Sequence, residues 1–357
     1  MPARTTHTVV AVVAAGATVA AALVGVNLLA DEKGPANAAE VSAPAALTPG
    51  PAPAPAGWRW EVYGNVQVQV PADWDATLWA GMHDCGPRPE PKPVVRRPGG
   101  ATIAMLQPCP TTPPKPLHIA PSVEFGEHER PGVIRYADGW TRETRAFDEL
   151  QLTVTTGDDA LRDRIFASAG VVESIDGNGC ESAPALAGDG IRRPPSQGGL
   201  KSVGAVESIS VCRYSTSGRE QQKDAPPRST PQRRLPQITL TRWPLQASSL
   251  IVGATAVKLV QDLVAAPAGT GPTVTDMRFC GPDPGGEVIV LRAHGSKHDQ
   301  DVLVRYDGCK HNGTDDGSVL REFTPPAAKR IFQGVHTPTG HPNVLYQLLV
   351  GTPPPAI

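Results

Sequence analysis

Residues 58–70 read Trp58-Arg59-Trp60-Glu61-Val62-Tyr63-Gly64-Asn65-Val66-Gln67-Val68-Gln69-Val70. Apolar side chains recur at alternate positions on either side of Gly64-Asn65, and successive side chains of an extended chain point to opposite faces. This period of two, broken by a turn at Tyr63-Gly64-Asn65, predicts a β-hairpin that ends at Pro71. Val66, Val68 and Val70 then share one face, and Gln67 and Gln69 share the other.

Further along, Pro87–Pro121 is proline-rich and reads as a long loop holding one short apolar piece, Ala101–Leu106. Asp158–Val172 has acidic residues in its first turn and Leu161, Ile165, Phe166 and Ala169 on one stripe, the pattern of an amphipathic helix. Thr255 caps a second helix running to about Ala265, with Ala256, Val260, Leu263 and Val264 inward. Thr324-Pro325 opens a third over Ala327–Gln333. Ile134-Arg135-Tyr136, Cys212-Arg213-Tyr214 and Val304-Arg305-Tyr306 share one pattern, each in an expected strand that ends at a turn. A duplicated strand–turn–strand–helix unit accounts for it, and so does chance in a three-residue match. The predicted class is α+β, mostly antiparallel sheets with helices packed on one face. A boundary at Gly177-Asn178-Gly179 divides a first domain, residues 58–176, from a second, residues 177–357. Thr216–Gln237 carries Arg219, Lys223, Arg228, Arg233 and Arg234 among proline and polar residues, diluted by Glu220 and Asp224. It reads as an exposed insertion loop.

Ahead of the hairpin, Thr8–Ala30 is an uncharged, mostly Ala/Val run of 23 residues. As a helix it reaches about 34 Å, enough for a hydrocarbon core of about 30 Å. Arg4 before it and Asp31-Glu32-Lys33 after it leave residues 1–7 in the cytoplasm and everything past residue 34 outside. Two readings of the run stand side by side. Its length favours an uncleaved signal-anchor, while Ala36-Asn37-Ala38 fits a signal-peptidase site and would release a secreted chain. Residues 31–57 form a Pro/Ala-rich linker in which Pro49, Pro51, Pro53 and Pro55 alternate with small residues and preclude a helix interior or a central strand.

Cys85, Cys109, Cys180, Cys212, Cys280 and Cys309 all follow the apolar run, and their number is even. Exported thiols meet oxidising conditions and pair. Of the roughly 15 connectivities open to six cysteines, pairing in sequence order is expected: Cys85–Cys109, Cys180–Cys212 and Cys280–Cys309, each closing a loop worth about 3–4 kcal/mol. The chain has no C-x-x-C motif and no zinc-finger spacing, so no metal is expected on the cysteines.

The 357-residue chain carries a net charge of −2, which gives no reason to expect a nucleic-acid partner. Nucleophile-elbow, zincin, P-loop and dinucleotide-binding motifs are all absent, and no cofactor is implied. Weaker candidates are the cluster His294, His298, Asp299 and Asp301 at a hairpin tip, His83-Asp84 beside Cys85, and four tryptophans, Trp58, Trp60, Trp74 and Trp79. Histidine with carboxylates can hold a divalent metal, and tryptophans can stack on sugars or peptides; each group serves equally well as a solvated tip, a hydrated loop or core. No residue stands out as catalytic.

Twenty-four arginines against nine lysines, with abundant alanine, proline and glycine, look like a high-GC actinobacterial chain. The Trp58–Trp74 stretch and Arg305-Tyr306-Asp307-Gly308-Cys309 resemble uncharacterised exported or membrane-anchored envelope proteins of that group. The resemblance implies no catalytic residue. The expected function is a single-pass, membrane-anchored extracytoplasmic binding module. It would meet the bilayer through residues 8–30 and take an envelope polymer or protein as its ligand. A secreted hydrolase without a recognisable motif and a structural envelope protein are the alternatives. Polar residues converging in a pocket with a base in reach would favour the hydrolase, and a shallow aromatic face the binder.

Overall fold

The hairpin forms as its alternation requires: β1 (Trp58–Tyr63) pairs antiparallel with β2 (Val66–Pro71), from Trp58 opposite Pro71 to Tyr63 opposite Val66. Gly64 makes the turn at φ 60°, a region that glycine enters without steric cost. The computed structural model describes residues 50–76, 92–98, 120–127, 129–188, 192–216, 245–273, 285–338, 345 and 348–349. Val66, Val68 and Val70 are wholly buried, as expected of one face. The glutamine face is covered too: Gln67 is buried and its Oε1 accepts the Gly177 amide at 2.9 Å.

Five strands form the next sheet: β3 (Val94–Arg96), β4 (Ser122–Gly126), β5 (Gly132–Arg135), β6 (Thr141–Phe147) and β7 (Leu150–Thr156). Their order is β3-β4-β7-β6-β5, antiparallel except for the parallel pair β3-β4. Helix α1 (Asp159–Ser168) follows, with the Asp158 carboxylate accepting the Leu161 amide at 3.0 Å as an N-cap. It places Ile165 and Phe166 on the core shared by the valine face, Tyr63, Val123, Phe125, Leu152 and Val154. The helix stops short of Val172 because Gly170 and Val171 form β8, which pairs with Gln67 and Val66 of β2.

The remainder supplies α2 (Ala185–Gly188), β9 (Val206–Ser215), β10 (Leu245–Val252), α3 (Gly253–Ala265), β11 (Glu287–Gly295), β12 (Gln300–Arg305), β13 (Gly313–Asp315), β14 (Leu320–Arg321) and α4 (Pro325–Ile331). The six strands run β10-β9-β11-β12-β13-β14, every neighbouring pair antiparallel. Helix α3 starts two residues before Thr255, at Gly253, and Thr324 occupies the N-cap of α4 without a side-chain cap bond. Ala256, Leu259, Leu263, Ala327, Ala328 and Ile331 of α3 and α4 pack on Ile209, Val211, Ile289, Leu291, Val302 and Val304. The opposite face is covered by Val62 of β1, Cys180 and Leu186. The fold is therefore α+β and mostly antiparallel, with the longer helices of this sheet on one face and the one-turn α2 on the other.

All the described residues fall in one compact unit. Hairpin strand β1 contributes to both cores, Tyr63 to one and Val62 to the other. At the expected division near residue 177, the Gly177 amide bonds Gln67 and the Asn178 side chain bonds the Trp60 carbonyl at 3.3 Å. The repeated arginine–tyrosine pairs are not in equivalent places: Tyr214 packs with Val62 and Cys180, whereas Tyr306 packs with α4 on the opposite face.

Cys180 and Cys212 are bonded, with Cα atoms 5.6 Å apart, as the sequence-order pairing expected. Cys309 is also in a disulfide. Cys85, Cys109 and Cys280 lie outside the described residues, as do the apolar segment 8–30, the piece Ala101–Leu106 and most of the basic insertion. Among the described residues, no helix is long and apolar enough to cross a membrane.

Candidate binding cleft

Strands β1 and β10 are edge strands of different sheets. One backbone hydrogen bond joins them, from the Gly64 amide to the Leu245 carbonyl at 2.7 Å. Away from that bond the two edges border a cleft of about 440 Å³, lined on one side by Arg59 and Trp60 and on the other by Ser249 and Ile251. Trp74 and Arg330 complete the lining named here. Arg330 sits in the last turn of α4, and Thr255, in the first turn of α3, also faces the cleft.

The four tryptophans take different places. Trp60 and Trp74 are buried to 8% and 6% exposure and line the cleft. The Trp60 indole is oriented by a bond from its Nε1 to the Ala52 carbonyl at 3.1 Å. Trp58 is half-buried and carries the Arg164 guanidinium 3.8 Å above its ring. Trp79 lies outside the described residues.

The polar groups of the cleft are held rather than loose. Arg330 Nε donates to Asp262 at 2.6 Å, and Arg59 Nε donates to Glu61 at 2.6 Å. Glu61 also accepts from Arg97, whose Nε bonds the Val62 carbonyl at 3.0 Å. Ser248, buried behind Ser249, accepts from Asn178 Nδ2 at 2.9 Å, and Asp176 accepts the amides of Asn178 and Cys180 at 2.9 and 2.7 Å. Burial of the Asp176 carboxyl raises its pKa against the pull of those hydrogen bonds.

Three serine–histidine contacts arise among the described residues, one of them, Ser202–His298, within the hairpin-tip cluster. Ser249 Oγ lies 3.0 Å from His336 Nε2 at the cleft wall. Burial, then the guanidiniums of Arg213 and Arg97, hold the His336 imidazole well below the ordinary histidine value, with only the Val211 backbone pulling the other way. A general base must become a cation as it takes the serine proton, and two buried cations oppose that step. Ser210 Oγ lies 3.0 Å from His294 Nε2, and His294 Nδ1 lies 3.0 Å from Asp299 Oδ2, in the order of a hydrolytic triad. Ser210, however, is wholly buried, and Gly179 lies so close above it that an added Cβ would meet its hydroxyl at 2.5 Å. Gly179 thus leaves no room for an acyl group beside that oxygen.

The rest of the hairpin-tip cluster is occupied. His298 bonds Ser202 and the Asp299 carbonyl, each at 3.0 Å, and Asp301 accepts both arms of Arg292 at 2.8 and 3.1 Å. Among the described residues, no group of three or more His, Cys, Asp or Glu could hold a metal ion. His83-Asp84 lies outside the described residues. Sequence reasoning singled out Trp60 and Trp74 but missed Arg59, Ser249 and Arg330, which come from distant segments and carry no shared spacing. No family model, no curated protein and no solved structure matches the chain.

Proposed function

We propose that this chain is an exported, envelope-associated binding protein whose cleft takes an acidic saccharide. Residues 8–30 would carry it to the bilayer and residues 31–57 would hold the folded unit away from the surface. The observation that carries the reading is the composition of the cleft: guanidiniums at Arg59 and Arg330 beside the carboxylates of Glu61 and Asp75, hydroxyls at Ser249 and Thr255, and the indoles of Trp60 and Trp74. Guanidinium groups match carboxylates, hydroxyls match sugar hydroxyls, and indoles cover the apolar face of a pyranose.

The test titrates the intrinsic tryptophan fluorescence of the purified full chain with disaccharide fragments from muramidase-digested cell wall. A saturable change is expected, weakened in Arg330→Gln and absent with a neutral glucan oligosaccharide. A flat titration, or one unaffected by Arg330→Gln, overturns the reading.

The Ser249–His336 contact favours a second reading, a secreted hydrolase acting through Ser249. Turnover of an activated acyl ester that disappears in Ser249→Ala would establish it in place of the binder.

A further inference from the structure

Arg213 is a charged side chain in the wrong place. It lies in β9 between Cys212 and Tyr214, opposite Ala247 of β10 and Ile289 of β11, and is only 6% exposed. Ile209 and Val211, on the same face of β9, pack into the apolar core under α3 and α4. Among the described residues no carboxylate pairs with Arg213, and its Nε is buried without a hydrogen-bond acceptor. The nearby Glu287 carboxylate is engaged by the Tyr306 hydroxyl at 2.9 Å. An unpaired ion in the interior costs several kcal/mol, which is why such ions are rare.

Arg213 is not alone. Its charge acts on Arg97, as does that of Arg59. Arg97 is buried and bonds Glu61 and the Val62 carbonyl, yet its Nη1 has no acceptor, and neither has Nη2 of Arg59. Arg59 and Arg97 thus share one carboxylate, Glu61, no carboxylate among the described residues pairs with Arg213, and each of the three guanidiniums keeps a buried N–H group without an acceptor. The neighbouring imidazole of His336 is held neutral and offers no counter-charge. Oxygen atoms carrying negative charge are what this set of donors lacks.

We infer that Arg97 and Arg213, with Arg59 beyond Glu61, form an internal receptor for a small free oxyanion of the phosphate or sulfate type. The bound anion satisfies the enclosed guanidinium groups and cancels the excess buried charge. Arg59 lines the cleft and His336 bonds Ser249 of its wall, so we take the cleft as the anion's route to solvent. The site shares Arg59 and the cleft with the saccharide reading but rests on Arg97 and Arg213, which that reading does not use.

The test is thermal unfolding of the purified full chain at constant ionic strength, with inorganic phosphate replacing chloride, read together with phosphorus NMR line broadening. The unfolding midpoint rises with phosphate and saturates, as linkage requires of a ligand bound only by the folded state. Arg213→Gln weakens the apparent phosphate affinity by roughly tenfold or more, the loss of one charge-assisted contact. In phosphate-free buffer the same variant unfolds no earlier than the parent, because it removes an uncompensated buried charge. Arg164→Gln, which removes an exposed arginine, leaves the phosphate response intact. A parent midpoint and line width indifferent to phosphate, or an unchanged response in Arg213→Gln, overturns the proposal. Should Arg213→Gln fail to fold, Arg97→Gln provides the same comparison.

Discussion

Glu61 and Arg97 form an ion pair whose side chains are only 2% and 1% exposed. The pair joins β1 to the residue just past β3, so it clamps the hairpin to the five-stranded sheet. Removing one partner strands the other in a medium that cannot solvate it. We expect Glu61→Met and Arg97→Met each to lose about 3–5 kcal/mol. The double variant Glu61→Met/Arg97→Met should lose much less than the two single changes together, since apolar replacements of similar volume leave neither member of the pair stranded. Guanidinium chloride unfolding of the four proteins measures both numbers, and additive losses would refute the clamp.

The Cys180–Cys212 bond closes a loop with a sequence separation of 32. The chain-entropy model assigns such a link about 3–4 kcal/mol. Replacing both cysteines with alanine should lower the unfolding free energy by that order. It should also free the Gly179 loop over Ser210, which hydrogen exchange at the Gly179 and Cys180 amides would report.

His336 gives the stability a pH dependence of known sign. Its folded-state pKa lies well below the ordinary value, chiefly through burial and secondly through Arg213 and Arg97. Below about pH 6.5 the unfolded histidine binds a proton that the folded one refuses. Its contribution is therefore complete above that pH and falls away as the pH drops further, by up to about 1.4 kcal/mol per unit. Unfolding curves between neutral and acid pH should show this slope, and His336→Gln should flatten it.

An added Cβ at Gly177 would lie only 2.4 Å from the Trp60 indole. Gly177→Ala must therefore displace the ring that lines the cleft, at a cost of about 1–3 kcal/mol. The tryptophan emission maximum should move to longer wavelength as Trp60 loses cover. An unshifted spectrum and unchanged stability would show that the loop gives way instead.

Local pattern was legible in the sequence wherever one segment carried its own signal. The hairpin declared itself through alternation at Trp58–Val70, and α1 through Asp158 and the Ile165-Phe166 stripe. The end of α1 was not legible, because Gly170 leaves the helix to pair with Gln67, a partner far away in the chain. The cleft was hidden for the same reason: Arg59, Ser249 and Arg330 meet only after three segments fold together. The arginine–tyrosine pattern was visible, but not its meaning. In β9 the arginine takes the helix-covered face and the tyrosine the other, while Tyr306, just past β12, takes the helix-covered face. A three-letter match carries no information about which way a pleat turns. The unpaired state of Arg213 was likewise invisible, since it depends on what its neighbours across the sheet fail to supply.

The single bond from Gly64 to Leu245 sets an order of events. A chain made from its amino end presents the hairpin long before β10 exists. Val66, Val68 and Val70 find their core partners by Phe166, but until β10 arrives the edge of β1 stands open to any passing strand. Pairings between such distant segments slow folding and lengthen the time at risk of aggregation. The finished protein thus depends on its first strand being kept from the wrong company while its last sheet is still being assembled.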